Sequence, residues 1–292
     1  MRRLRLAHFS DPHIGPLPPI PPLSLLSKRA FGALNWWRNR GRALQANLLT
    51  ALIADLKDHR PDHICLTGDL INIALKQEYA NAHAFLATIG MPEEVSVIPG
   101  NHDAYVPGGR DRAMKAWAPY MAGDDGITRF PYVRRRGDVA IFGLSTAVAT
   151  PPLSARGRVG AAQREALAML LDRTDDAYKV VLIHHPPDQA ISKVQRALAD
   201  IEPVRRVLAE GCADLVLHGH NHRASLGTLA TPTGTAHVIG APSASSDGTK
   251  HPPAGYGLID IDMDARSATL TRRTWSPADN AMVTTERAVP LP

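Results

Sequence analysis

Apolar, β-branched runs recur along this chain, and each breaks off at a polar or glycine-bearing cluster. Residues 4–9 read as a short strand stopped by Ser10-Asp11-Pro12-His13, and Ile64-Cys65-Leu66-Thr67 as a strand that ends at Gly68-Asp69. Val95-Ser96-Val97-Ile98 breaks at Pro99-Gly100 and runs into Asn101-His102-Asp103. Residues 180–183 lead to His184-His185, and residues 215–217 to His218-Gly219-His220-Asn221-His222. Between these runs the apolar spacing lengthens. Leu44, Leu48, Leu52 and Leu56 repeat every four positions, the mark of an amphipathic helix, and residues 76–89 form another that Gly90 closes. Residues 139–144 read as a further strand, and residues 162–171 and 203–209 as helices. This alternation predicts an α/β fold, with residues 238–239, 256–261 and 268–275 adding antiparallel strands at its end. In open α/β sheets ligands bind beyond the carboxyl ends of the strands, which is where all five polar clusters fall.

Composition narrows the picture only in part. The 292 residues contain no linker that would divide them, so residues 1–292 are read as one domain. The proline-rich residues 16–22 and the Ser/Gly/Pro-rich residues 241–257 are short enough to be its loops. A net charge of +5 favours anionic partners: phosphate esters, anionic lipid or nucleic acid. The two cysteines, Cys65 and Cys212, each sit in an apolar run and are expected to be buried thiols in a reducing compartment. At the basic N-terminus His8, Asp11 and His13 arrive before a signal-length apolar run can develop, and no stretch is long enough to span a bilayer. The expected location is cytoplasmic.

Singly, each polar cluster has a plain structural reading. Gly100-Asn101-His102-Asp103 and Asp11-Pro12-His13 are turn sequences, and His184-His185-Pro186-Pro187 is an ordinary strand end. Their joint occurrence after successive strands is what points to chemistry. Asp11, His13, Asp69, Asn101, His184, His220 and His222 together offer carboxylate, amide oxygen and imidazole. That set suits Mn, Fe, Zn or Ni, and the lack of thiolates argues against a structural zinc cage. Seven ligands are too many for one such ion and suit two that share a bridging carboxylate, for which Asp69 is the candidate. Two ions about 3.5–4 Å apart can share a hydroxide and clamp a phosphate during in-line displacement. His102 is the candidate proton donor to the departing oxygen. His218 is expected to pack behind the ligands, and His185 is a further candidate for substrate contact. His8, His59, His63, His83, His237 and His251 read as surface or core residues, and Arg134-Arg135-Arg136 as a solvated hairpin tip.

The five clusters, in this order, resemble the signature of the calcineurin-like metallophosphoesterase superfamily, and within it the bacterial branch of class III cyclic-nucleotide phosphodiesterases. The resemblance implies a four-layer α-β-β-α sandwich, two mixed sheets flanked by helices, with a dinuclear centre at the C-terminal edge of the strands. It also implies that Asp11, His13, Asp69 and His222 hold one ion, and Asp69, Asn101, His184 and His220 the other. His102 would lie over the substrate, supported by Asp103. One departure is Asn72, where many members carry a second Asp. The implied function is hydrolysis of a small phosphodiester, such as a cyclic nucleotide, by a metal-bridging hydroxide. Two alternatives stand beside it: a pyrophosphate hydrolase of a nucleotide-linked lipid, and a non-catalytic scaffold. Lipid A pathway hydrolases of the superfamily carry Arg where this chain has His102, and scaffolds lose ligands that are all present here.

From Pro12 to Ala54 there is no Asp or Glu, while Lys28, Arg29, Arg38, Arg40 and Arg42 accumulate beside Phe31, Trp36 and Trp37. Residues 16–42 therefore read as an insertion. Either Leu23, Leu26, Ala30, Leu34 and Trp37 form the buried face of a helix packed on its own domain, or the segment is a lid beside the metals or an interfacial helix on anionic lipid. Its aromatics also leave open a homodimer contact, whereas a nucleic-acid partner is not expected.

Overall fold

The computed structural model describes residues 2–41, 45–188 and 194–291. Leu44 and Arg42 lie outside them; the leucine-repeat helix, α2, is observed over Ala46–Asp58 and buries Leu48, Leu49, Leu52, Ile53 and Leu56. The first sheet runs β12-β11-β10-β1-β2-β3. Its strands are β1 (Arg3–Phe9), β2 (His63–Leu66), β3 (Val95–Val97), β10 (Gly255–Asp262), β11 (Ser267–Ser276) and β12 (Ala281–Leu291). The second runs β4-β5-β6-β7-β9-β8. It contains β4 (Tyr132–Arg136), β5 (Val139–Gly143), β6 (Tyr178–Leu182), β7 (Leu215–His218), β8 (Ser225–Thr231) and β9 (Gly234–Gly240). β1, β2 and β3 are mutually parallel, as are β5, β6, β7 and β9, so seven carboxyl ends are available to one edge.

Strand alternation sorts side chains into layers. Leu6, Cys65 and Ile259 of the first sheet meet Ile141, Val180 and Leu217 of the second in a core between the sheets. The neighbouring positions Ala7, Phe9, Ile64 and Leu66 point the other way, onto α2 and α3 (Lys76–Ile89). On the far side Ala140, Phe142, Val181 and Val216 face α5 (Ala161–Asp172) and α6 (Ile201–Glu210). This is the expected pair of mixed sheets flanked by helices. Both sheets are buried on both faces, which is why their central strands read as nearly unbroken apolar runs.

Several expectations fail for physical reasons. The chain also forms β4, β8, β12 and a short helix, α4 (Gly109–Ala116), that its apolar pattern did not mark; β4, β8 and β12 are sheet-edge strands of mixed polarity. Arg134 is not at a solvated tip: it lies in β4, is buried, and donates to the carbonyls of Ala122, Pro92, Val95 and Pro119. Cys65 is buried, but Cys212 is partly exposed where α6 ends. The insertion turns only part of its apolar surface inward: Leu17, Ile20 and Leu25 pack against Ala33, Ile73 and Leu75, whereas Leu23, Leu26, Phe31, Leu34 and Trp37 of α1 (Arg29–Asn35) and its flanking turns are exposed. Among the described residues no helix is long and apolar enough to cross a membrane.

Candidate metal centre

The loops that leave β1, β2, β3, β6 and β7 converge at one edge of the sandwich. They are folded tightly on one another: the Asp11 N–H donates to the Gly68 carbonyl, His13 to Asp69, and Gly219 to His184. A Cβ at Gly100 would overlap Asp69 Oδ1, and one at Gly219 would overlap Ser10 Oγ, so both positions require glycine for close approach. Asp11, His13, Asp69, His220 and His222 all hold left-handed backbone, five of the twelve non-glycine residues that do so among those described. Such conformations cost about 1–3 kcal/mol each and cluster where surrounding structure imposes them for a purpose.

Distances divide the seven ligand candidates into two groups joined at Asp69. In the first, His222 Nε2 lies 3.2 Å from Asp11 Oδ1 and 3.2 Å from His13 Nε2, which in turn is 3.8 Å from Asp69 Oδ2. In the second, His184 Nε2 is 3.4 Å from Asp69 Oδ2 and 3.2 Å from Asn101 Oδ1, and His220 Nδ1 is 2.9 Å from the same Asn101 oxygen. The other ring nitrogens fix the tautomers, because a carbonyl can only accept. His13 Nδ1 donates to Ile71, His184 Nδ1 to Thr67 and His220 Nε2 to Arg196. His220, which burial holds neutral, therefore turns a lone pair inward at the Asn101 oxygen, itself an acceptor, while the inward nitrogens of His13 and His184 face carboxylate and amide oxygens. Acceptors about 3 Å apart repel unless a cation lies between them. Asp11 Oδ1, buried and without a well-formed hydrogen bond among the described residues, makes the same demand. The cluster fits a metal site.

The electrostatics agree. Burial opposes charge on Asp69, but His184, His102 and His13 hold its carboxyl well below the usual carboxylate range. Burial also opposes charge on His184, yet Asp69 and Asp11 push its imidazole up to about 9. With Asp11 and Asp69 ionised at full burial the site favours positive charge, which in the metal-free chain is the proton on His184.

His102 lies on the cleft side of this cluster. Its N–H donates to Asp69 Oδ1 at 2.7 Å, and its ring Nδ1 donates to the Asn72 carbonyl at 2.5 Å. Asp103 does not support that ring, contrary to the sequence reading. Its buried carboxylate instead accepts from the N–H groups of Gly100, Asp69, Leu70 and Ile71, tying the β2 and β3 loops together. The support comes from Asn72, whose N–H is held by the buried Glu78 at 2.8 Å and whose side chain donates to Ile14. His185 also departs from its reading. Wholly buried, it accepts from Thr146, donates to Ala155 and packs against His220, with ring centroids 4.2 Å apart. His218 is buried, as expected.

Four of the ligand candidates, Asp69, Asn101, His220 and His222, line a cleft of about 510 Å³ together with His102. A larger depression of about 600 Å³, beside Arg3, Arg5 and Asp260 at the opposite end of β1, holds none of the candidates. The cleft adds residues that sequence reasoning missed. Tyr105 stacks on His102 at 5.4 Å, Lys28 Nζ lies 4.6 Å over the Tyr105 ring, and Arg196 and Lys250 line the walls. His251, read as a surface or core residue, is exposed but packs edge-on to His222, with centroids 5.0 Å apart. No spacing marks these side chains, because they come from separate loops; only the run of cations around Lys28 hinted at one of them.

Fold and site together define a metal-dependent hydrolase on a two-sheet sandwich. The chain belongs to the calcineurin-like phosphoesterase family, whose model matches residues 4–224. Among solved structures it is similar to a dimetal phosphatase from Danio rerio, with 15% identity over 96% of this chain and 98% of that one and a TM-score of 0.60. Purple acid phosphatase PPD1 from yellow lupin seeds gives 14% identity, 97% and 53% coverage and a TM-score of 0.61. The 5'-nucleotidase precursor of Thermus thermophilus gives 14%, 99% and 56%, and 0.51. At such identities the likeness is one of fold. No curated protein sequence matches the chain.

Proposed function

We propose that the protein is a dinuclear phosphodiesterase acting on a small phosphodiester, with cyclic nucleotides as the example of such a substrate. Asp11, His13, Asp69 and His222 would hold one ion, and Asp69, Asn101, His184 and His220 the other. Bound there, two ions supply positive charge to the phosphate oxygens and acidify water to a nucleophile near neutral pH. What the chain itself adds is a proton. The observation that carries the reading is His102: with Nδ1 committed to the Asn72 carbonyl, Nε2 is the nitrogen that would protonate the departing alkoxide. Tyr105 holds the ring in plane, and Lys28, Arg196 and Lys250 bring positive charge to the cleft walls, where an anionic ester would enter.

A second reading, a pyrophosphate hydrolase of a nucleotide-linked lipid, is favoured by the exposed apolar side chains Phe31 and Leu153 at the cleft mouth. Metal analysis, then rates on a diester, a monoester and a nucleotide-lipid diphosphate, separate the two. Preference for the monoester overturns the first reading. On the preferred substrate, His102→Ala is expected to lose about 10²–10⁴-fold in turnover with metal content unchanged, and Asp69→Asn to lose metal as well. Full activity in His102→Ala would remove the acid role.

A further inference from the structure

Among the described residues, five of the eleven exposed large apolar side chains fall within residues 23–37. Leu23 and Leu26 are 81% and 84% exposed, and Phe31, Leu34 and Trp37 are 53%, 43% and 58% exposed. A sixth, Leu153, joins them across the cleft mouth, where the Lys28 ammonium donates to the Ser154 carbonyl. The helix that carries this surface is inverted relative to an ordinary surface helix. Its small residues face the protein: Ala33 is buried, and a Cβ at Gly32 would lie 2.5 Å from Ile73 and 2.8 Å from the Tyr105 hydroxyl. Its large residues face outward. A concentration of apolar surface like this one marks an interaction site.

The occupant is set by charge. No Asp or Glu occurs from Pro12 to Ala54, Arg38 is exposed beside Trp37 in the chain, and Arg196 and Lys250 are exposed at the cleft itself. A second copy would press like charges together with no acid in the segment to meet them. An anionic bilayer instead offers hydrocarbon to the apolar tips and phosphates to the cations. We infer that residues 23–38 dock the protein on an anionic lipid surface with the cleft mouth turned toward the membrane, whichever phosphoester it cleaves.

The test is co-sedimentation of the metal-loaded full chain with vesicles of phosphatidylcholine alone or mixed with phosphatidylglycerol. The wild type should pellet with the mixed vesicles, remain in solution with the neutral ones, and be released by high salt. Leu23→Ser/Leu26→Ser and Trp37→Ser, which alter exposed side chains that do not line the cleft, should weaken binding about tenfold or more. Their turnover of a soluble diester should be unchanged, which shows that they fold and separates this inference from the assigned activity. Wild-type protein that ignores both vesicles, or variants that bind as well as wild type, would overturn the inference. So would a dimer in size-exclusion chromatography that the variants dissociate, since the face would then be a subunit contact.

Discussion

His220 illustrates how individual residues here serve chemistry at the expense of local conformation. Its φ of 70° places a β-carbon where L-residues are disfavoured, while its N–H reaches Asp11 Oδ2 at 2.9 Å and its ring reaches Asn101. Glycine adopts that backbone freely. His220→Gly should therefore be more stable than His220→Ala by about 1 kcal/mol in urea unfolding of the metal-free chains, although both lose the ring. Equal stabilities would mean that the loop relaxes once the side chain is gone. Lys28 gives a prediction in pH. Burial pulls its ammonium down to about 8 from the ordinary value of 10.5. Below pH 8 it is charged in both folded and unfolded chains; between pH 8 and 10.5 the unfolded chain binds the extra proton, so this residue's contribution favours folding as pH rises. Binding of an anionic substrate runs the other way, because the charge on the cleft wall is present only below about pH 8. KM should be flat up to that point and climb above it by at most about tenfold per pH unit, and Lys28→Met should remove the climb. A KM profile identical in the two proteins would take Lys28 out of substrate binding.

The elements behind these residues were legible to different degrees. β1, β2, β6 and β7 announce themselves because both of their faces are buried, and the ligand clusters are visible because each follows such a strand directly. The edge strands β4, β8 and β12 escape because part of each meets solvent, whereas the edge strand β3 is buried and legible; the support of His102 escapes because it runs through a backbone carbonyl. Glu78, in the first turn of α3, fixes the Asn72 and Leu75 N–H groups, and Asn72 then fixes His102; none of this has a spacing to recognise. In the insertion's helix α1 the polarity is reversed: Gly32 and Ala33 pack while Phe31 and Leu34 face out, and the inward contacts of the segment come from Leu17, Ile20 and Leu25 instead. Arg134 is a similar lesson with a measurable cost. A run of three arginines looks solvated, yet in an edge strand alternate side chains point to opposite faces, and the middle layer's carbonyls capture the buried one. Arg134→Ala would leave carbonyl oxygens unsatisfied in the interior and should cost about 3–5 kcal/mol in denaturant unfolding. Arg134→Lys should recover less than half of that, because one ammonium cannot span the four carbonyls of Pro92, Val95, Pro119 and Ala122. A loss within 0.5 kcal/mol of zero would return this residue to the surface class.

At the scale of the molecule, the ligand candidates come from both sheets. Asp11, His13, Asp69 and Asn101 follow strands of the first, while His184, His220 and His222 follow strands of the second. Each of the two groups contains members from both, so any ion held there closes the edge of the sandwich as well as supplying chemistry. Without ions, ionised Asp11 and Asp69 share a wholly buried site, and the raised imidazole of His184 is the compensation the chain provides. Binding to the folded chain alone stabilises it by RT ln(1 + [L]/Kd), about 4 kcal/mol at a thousandfold excess over Kd. Chelation should therefore lower Tm by several degrees. Hydrogen exchange should quicken first in the loops after β6 and β7, whose tie to the first sheet runs through these ligands. Restoring Mn or Zn should reverse both effects in the wild type, whereas Asp69→Asn, which lacks the residue common to both groups, should respond to neither ion. An unchanged Tm on chelation, with exchange in those loops already slow, would mean that hydrogen bonds such as His184 to Thr67 and the His220 N–H to Asp11 hold the edge shut by themselves, and that the ions serve catalysis alone.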